Sequence, residues 1–190
     1  MTQMMERQQA APIHEFDDRP VTVAHPDSPL SGPEGHPFHP ILVTIPIGAW
    51  VCSLVFDVAS RISNDPSSFS RGAMWLIVIG VVGAALAAVF GLLDLRTIPA
   101  GTKARSVGLT HLTLNSLAVS LFGADVLLRN ASWVPFTPTP WWAIALTLLA
   151  LAVTGASGYL GGKLAYHYGV RVAGPRRQAE GYETDPGTRQ

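Results

Sequence analysis

Charged side chains are scarce in this sequence, and their scarcity excludes whole classes of protein. Asp, Glu, Lys and Arg make up 14% of the 190 residues, whereas a soluble globular domain carries about 25%. Hydrophobic residues make up 48%, so the composition indicates a chain that contacts lipid. Acidic and basic residues number 13 each, and this balance gives no reason to expect a nucleic-acid partner.

Cysteine is almost missing as well. Cys52 is the single one, which excludes an intramolecular disulfide and a cysteine-based metal cluster. The sequence also lacks the G-x-S-x-G motif of a nucleophilic serine, and its glycine-rich "GYLGGK" lacks the spacing of a phosphate-binding loop. We therefore do not expect an enzyme.

The middle of the chain contains four long apolar segments, at residues 41–60, 73–95, 107–128 and 141–164. Each reaches the roughly 20 residues that an α-helix needs to cross a hydrocarbon core of about 30 Å. The connections are short, so consecutive helices should be antiparallel neighbours. The predicted fold is an all-α, four-helix transmembrane bundle over residues 39–168, with disordered polar tails at 1–38 and 169–190.

The basic residues predict an orientation. Ten of the 13 Lys and Arg residues fall in the two tails and in the loop after the second span. Basic residues collect on the cytoplasmic side of membrane proteins, so both termini are expected in the cytoplasm. The expected partner is the lipid bilayer, and the sequence does not decide whether the protein forms a homo-oligomer.

Small residues recur along one face of the second and fourth spans. The two sets are Gly80, Ala84, Ala87 and Gly91, then Gly155, Gly158, Gly162 and Ala165. Such stripes usually let membrane helices approach closely. We expect both stripes to pack against neighbouring helices; a groove for a flat cofactor is the alternative.

Two Asp/Arg pairs recur at the ends of the first and third spans. Asp57 precedes Arg61 by four residues, and Asp125 precedes Arg129 by four. The spacing predicts surface ion pairs worth a few tenths of a kcal/mol. The repetition also suggests two related hairpins, with Asp57 aligned on Asp125.

Ionisable groups from all four spans are expected at one level near the cytoplasmic surface. They are His39, Asp94, His111, Lys163 and His167. Asn115 lies one turn beyond His111 on the same helical face, where its amide can fix the tautomer of the imidazole. A basic rim that could hold haem propionates consists of Arg96, Lys103 and Arg105.

Three interpretations of this level stay open. The first is a satisfied polar network in a structural or accessory membrane subunit without cofactor. The second is a cofactor site for electron transfer, with a b-type haem between His39 and His111. The corresponding ligand set for a divalent metal is His36, His39, Asp94 and His111. The third is a proton-coupled carrier of a small solute, with Asp94 and His111 as relay groups.

Four motifs carry a family resemblance. "HPFHPILVTIPIG" opens the first span, "GLLDLRTIP" closes the second, "THLTLNS" lies in the third and "GYLGGKLAYHYGVRV" ends the fourth. In this order they resemble the bacterial membrane proteins of domain of unknown function family 2231. The resemblance implies four helices in a bacterial plasma membrane. Some proteins with this kind of domain also carry a Rieske-type iron–sulfur domain, which hints at electron transfer and a redox partner; this chain has none.

The orientation can be checked with single cysteines at Ser67 and Thr137 after replacement of Cys52 by Ala. Both sites belong to loops that we expect outside the cell, so a membrane-impermeant maleimide should label them in intact cells. Cysteines placed in the two tails should react only after the cells are opened. Labelling of the tails alone in intact cells would contradict the orientation.

Overall fold

The computed structural model describes residues 38–172, and within that range every regular element is helical. The elements are α1 (Phe38–Leu42), α2 (Thr44–Ile62), α3 (Pro66–Thr97), α4 (Lys103–Ala131), α5 (Trp141–Gly162) and a π-helical turn (Lys163–His167). α1 and α2 form one span, and the π-helical turn extends α5. Four helices are therefore long and apolar enough to cross a membrane, which confirms the predicted all-α bundle. The predicted tails lie outside the described residues, apart from Phe38 and residues 169–172.

Local sequence explains where these helices begin and break. The Asp65 side chain accepts a hydrogen bond from the Ser68 N–H at 3.2 Å, and Pro66 follows it as the first residue of α3. Such a cap satisfies one of the free N–H groups at a helix start. The first span is interrupted at Val43, between α1 and α2. Pro46 has no N–H to donate to the carbonyl four residues earlier, so the helix is weakened there.

The helices are arranged as two hairpins side by side. α2 packs most extensively against α3, and α4 against α5; α3 also contacts α4, and α2 contacts α5. α2 and α4 therefore lie diagonally opposite each other and run in the same direction. We call the end of the bundle that holds His39 and His111 the histidine end, and the end that holds Arg129 the arginine end.

One buried residue from each helix forms the central layer of the core: Trp50, Ile77, Phe122 and Ala150. The rings of Trp50 and Phe122 stack across the diagonal, with centroids 4.1 Å apart and planes 16° from parallel. The Trp50 indole N–H donates to the Ile77 carbonyl at 3.3 Å. Because that donor would otherwise be unpaired in an apolar core, this bond fixes the orientation of the stack.

The glycines of α3 and α5 differ in what they face. A Cβ on Gly80 would lie 2.1 Å from Trp50 Nε1, so this glycine is needed for the α2/α3 contact. A Cβ on Gly155 or Gly158 would meet nothing within 4 Å. The prediction that both stripes pack closely is therefore confirmed at Gly80 and wrong at Gly155 and Gly158.

The physical reason lies on the neighbouring face of α5. Thr147, Ala150 and Ser157 are buried there. Thr147 bonds to Arg129 and Asp125, and Ser157 bonds to His111. These interhelical bonds turn this face of α5 inward and leave Gly155 and Gly158 on the outside.

Substitution of Gly80 by Ala should destabilise the bundle by about 1–3 kcal/mol, because the added methyl group displaces Trp50 from its stack. Gly158→Ala is the matched control and should leave stability unchanged or slightly raised. Thermal unfolding in detergent compares the two. Equal melting temperatures would show that Gly80 is not at a close contact.

Candidate functional site

Two imidazoles meet at the histidine end from diagonally opposite helices. His39 of α1 donates from Nδ1 to the Ala87 carbonyl of α3 at 2.9 Å. His111 of α4 donates from Nδ1 to the Ser157 carbonyl of α5 at 2.8 Å. The ring centroids are 6.3 Å apart and the ring planes are 88° from each other. Because a carbonyl only accepts, each contact places the ring proton on Nδ1 and leaves Nε2 as the basic nitrogen.

Glycines support both imidazoles. A Cβ on Gly91 would lie 2.9 Å from His39 Cε1, and one on Gly161 would lie 3.1 Å from His111 Cε1. Gly91 lies one helical turn after Ala87, whose carbonyl accepts the His39 proton. Gly161 lies one helical turn after Ser157, whose carbonyl accepts the His111 proton. The same arrangement of imidazole, carbonyl and glycine thus occurs once in each hairpin.

Asn115 completes the surroundings of His111. Its amide nitrogen lies 3.0 Å from His111 Nε2 and donates to it in the tautomer described above. The Ser157 hydroxyl donates to the His111 carbonyl at 3.2 Å. In contrast, His39 Nε2 has no hydrogen-bond partner within residues 38–172. The structure therefore brings His39, His111 and Asn115 together, with one Nε2 bonded and the other not.

The remaining groups of the predicted level have other partners. Asp94 pairs with Arg171, whose Nε lies 2.8 Å from Oδ1. Lys163 lies over the Tyr168 ring. Arg105 donates to the carbonyls of Leu95 and Ile98 and so caps the end of α3.

These contacts leave a histidine pair rather than a larger ligand cluster. His36 lies outside the described residues. Among residues 38–172 no group of three or more His, Cys, Asp or Glu side chains is placed to hold a metal ion. Arg105 is also occupied as a helix cap, so the predicted basic rim is reduced to Arg96 and Lys103, which are exposed.

A second polar site, at the arginine end, is the main surprise relative to the sequence. Asp57 and Asp125 are both 0% exposed and Arg129 is 6% exposed. The Arg129 guanidinium donates to both oxygens of Asp57, at 2.5 and 2.8 Å, and to both oxygens of Asp125, at 2.9 and 3.1 Å. The prediction of weak surface pairs is therefore wrong: a bidentate, buried ion pair joins α2 to α4.

Hydroxyl groups and a loop enclose this site. Thr147 of α5 lies 3.0 Å from Asp125 Oδ2, and Thr139 donates to Asp57 Oδ1 at 2.9 Å. Thr139 belongs to loop 132–140, which folds over the bundle end. Arg61, the counterpart of Arg129 in the first hairpin, turns away to donate to the Thr139 carbonyl at 2.7 Å and lies over the Trp141 ring. The burial of Asp57 thus depends on loop 132–140, which the Asp/Arg spacing at the helix ends does not predict.

Three layers now connect α1 and α2 with α4 along the bundle axis. His39 faces His111, Trp50 stacks on Phe122, and Asp57 pairs with Arg129, each partner 72 positions later in the chain. The sequence repeat aligns Asp57 with Asp125, whereas in the structure Asp57 pairs with Arg129, one helical turn further along α4. At 1.5 Å per residue, about 16 Å separate the histidine layer from the aromatic layer and about 10 Å separate the latter from the ion pair.

The fold and the buried polar layers together define an integral membrane protein with four candidate membrane helices. The family described as "Predicted membrane protein (DUF2231)" matches residues 35–174, and the chain belongs to this family. Comparisons with curated proteins and with solved structures gave no match.

Arg129→Gln should destabilise the folded protein by about 3–5 kcal/mol, because it leaves two buried carboxylates without their guanidinium. Arg61→Gln is the matched control and should cost about 1 kcal/mol, since Arg61 loses one hydrogen bond and a ring contact but no carboxylate partner. Thermal unfolding in detergent measures both. If the two variants lose equal stability, the ion pair does not hold the helices together.

Proposed function

We propose that this protein is a membrane-embedded electron carrier that holds one b-type haem between His39 and His111. The observation that carries the proposal is the pair of facing imidazoles at 6.3 Å. Two imidazoles bound on opposite sides of one metal ion, with metal–nitrogen bonds of about 2 Å, have ring centres about 6 Å apart. The spacing therefore fits a single iron that His39 and His111 would both hold.

The hydrogen bonds of both rings support the same role. A histidine that ligates through Nε2 typically donates its Nδ1 proton to a carbonyl or carboxylate, which fixes the ring and raises its basicity. His39 and His111 both do so, through Ala87 and Ser157. Ligation by His111 through Nε2 would require that Asn115 release this nitrogen. When bound, the haem supplies a one-electron couple; the protein fixes its ligands and shields it from water.

Haem suits this site better than a divalent metal alone. A porphyrin already supplies four ligands, so two protein ligands suffice, whereas a protein-bound divalent ion needs three or more side chains. The described residues offer the histidine pair without a third acidic or thiol ligand beside it. A solute carrier is also less well supported, because the Trp50 and Phe122 stack separates the two polar layers.

The cellular setting belongs to the same proposal. We place the protein in a bacterial plasma membrane with both termini in the cytoplasm, from the family and the distribution of basic residues. The histidine end then lies near the cytoplasmic surface, and the electron donor or acceptor is a redox protein or membrane complex that reaches this end. An accessory subunit without cofactor is the alternative, since the Nε2 of His111 already has a partner in Asn115.

The test is an absorption spectrum of the detergent-purified protein before and after reduction with dithionite. The wild type should show the bands of a six-coordinate b-type haem, and His39→Ala and His111→Ala should each lose them. Asp94→Asn should keep most of the signal because Asp94 pairs with Arg171. His25→Ala in the N-terminal tail is the matched histidine control and should be silent.

Two results would contradict the proposal. One is a colourless wild type that takes up no haem when the cofactor is added during expression and purification; the accessory-subunit interpretation then holds. The other is a haem signal that survives both histidine substitutions with normal stability.

A further inference from the structure

The cluster at the arginine end has an unequal number of charges. Asp57 and Asp125 would carry two negative charges, and Arg129 one positive charge. Both ion pairs of these carboxylates within residues 38–172 are to Arg129. A net charge fully enclosed in a membrane bundle is costly, and such a group usually neutralises by taking up a proton. We propose that the cluster binds one proton at neutral pH, carried by Asp125 on Oδ2.

No other charged side chain offsets the imbalance. The groups around the cluster come from every packed element: Ser70 from α3, Thr147 from α5 and Thr139 from the loop, with Arg61 of α2 bonded to Thr139. Arg61 is bonded to the Thr139 carbonyl, and Arg71 lies 5.2 Å from the Trp133 ring. Neither guanidinium bonds to a carboxylate of the cluster in the described part of the chain.

The contacts around Thr147 can accommodate the added proton. The Nη2 atom of Arg129 has two hydrogens but lies within hydrogen-bond distance of three acceptors: Asp57 Oδ2 at 2.8 Å, Asp125 Oδ2 at 3.1 Å and Thr147 Oγ1 at 2.9 Å. Thr147 has one further hydrogen and lies 3.0 Å from Asp125 Oδ2. A proton on Asp125 Oδ2, donated to Thr147 Oγ1, lets the threonine hydrogen go to Asp57 Oδ2 at 3.4 Å.

The two carboxylates are not equivalent hosts for that proton. Asp57 accepts from Arg129 at 2.5 and 2.8 Å and from Thr139 at 2.9 Å. Asp125 accepts from Arg129 at the longer distances of 2.9 and 3.1 Å, and its third partner, the Thr147 hydroxyl at 3.0 Å, can also accept a proton from it. The proton is therefore assigned to Asp125, the carboxyl with the longer contacts to Arg129.

A cavity adjoins the cluster on its Arg129 side. A cavity of about 30 Å³ lies between Arg129 and loop 132–140, lined also by Ser70 and Thr139. This volume is enough for an ordered water, which needs at least about 10–15 Å³ and several polar partners. The cluster lies at the opposite end of the bundle from the histidine pair, so its proton is assayed separately from any bound haem.

The test is the infrared spectrum of protein labelled with carboxyl-¹³C aspartate, in a detergent without ester groups, at neutral pH. The wild type should show the carbonyl stretch of a protonated aspartic acid, identified by its isotope shift. Asp125→Asn should lose this band and remain folded, because an amide N–H replaces the acid O–H. Asp94→Asn is the matched control at a carboxylate that pairs with Arg171, and it should keep the band.

A wild-type spectrum without an isotope-shifted carbonyl band of aspartic acid would overturn the proposal. A band that persists in Asp125→Asn, or one lost only in Asp57→Asn, overturns the assignment to Asp125. If the asparagine variant does not fold, Asp125→Glu serves instead: the aspartate band should vanish, because the proton then resides on an unlabelled glutamic acid.

Discussion

The ion pair between Asp57 and Arg129 is the interaction on which the rest of the bundle depends. Polar groups inside a membrane need partners within the protein, and the Arg129 guanidinium finds them in Asp57, Asp125 and Thr147. Its bidentate contact with Asp57 joins α2 to the diagonal helix α4 and allows a single axial register. That register places Trp50 on Phe122 and, further along the axis, His39 opposite His111. The histidine geometry is therefore set partly from the other end of the molecule.

The helices beside the diagonal supply what the three layers require. α3 and α5 provide the carbonyls that hold the imidazoles and the glycines that make room for them, at Ala87 and Gly91 and at Ser157 and Gly161. Each hairpin thus contributes one histidine and one supporting helix. The arginine end departs from this two-fold relation, because one arginine serves two carboxylates.

The sequence predicts the spans, the hairpins and the gathering of His39 and His111 at one end, because hydropathy and short connections constrain these strongly. It does not predict which helical face turns inward. The spacing of Asp125 and Arg129 is the same for a surface pair and for a buried one, and only the fold of loop 132–140 over Asp57 decides between them. The inward face of α5 is likewise decided by the hydroxyls of Thr147 and Ser157, not by its glycines. An aspartate within an apolar span, on the same face as Trp50 and Ser53, was the available signal for the second site.

The central claim is the proposal that His39 and His111, which the first span and α4 hold with their ring planes crossed, would both bind one haem. The electron paramagnetic resonance spectrum of the oxidised, haem-loaded protein tests it most directly. Crossed imidazoles each raise a different π-type orbital of low-spin iron, so the two orbitals stay close in energy and the spectrum is strongly anisotropic; parallel imidazoles raise the same orbital and give a rhombic spectrum. The ring planes at 88° predict the strongly anisotropic low-spin spectrum. A high-spin signal, or a rhombic one, would contradict the account.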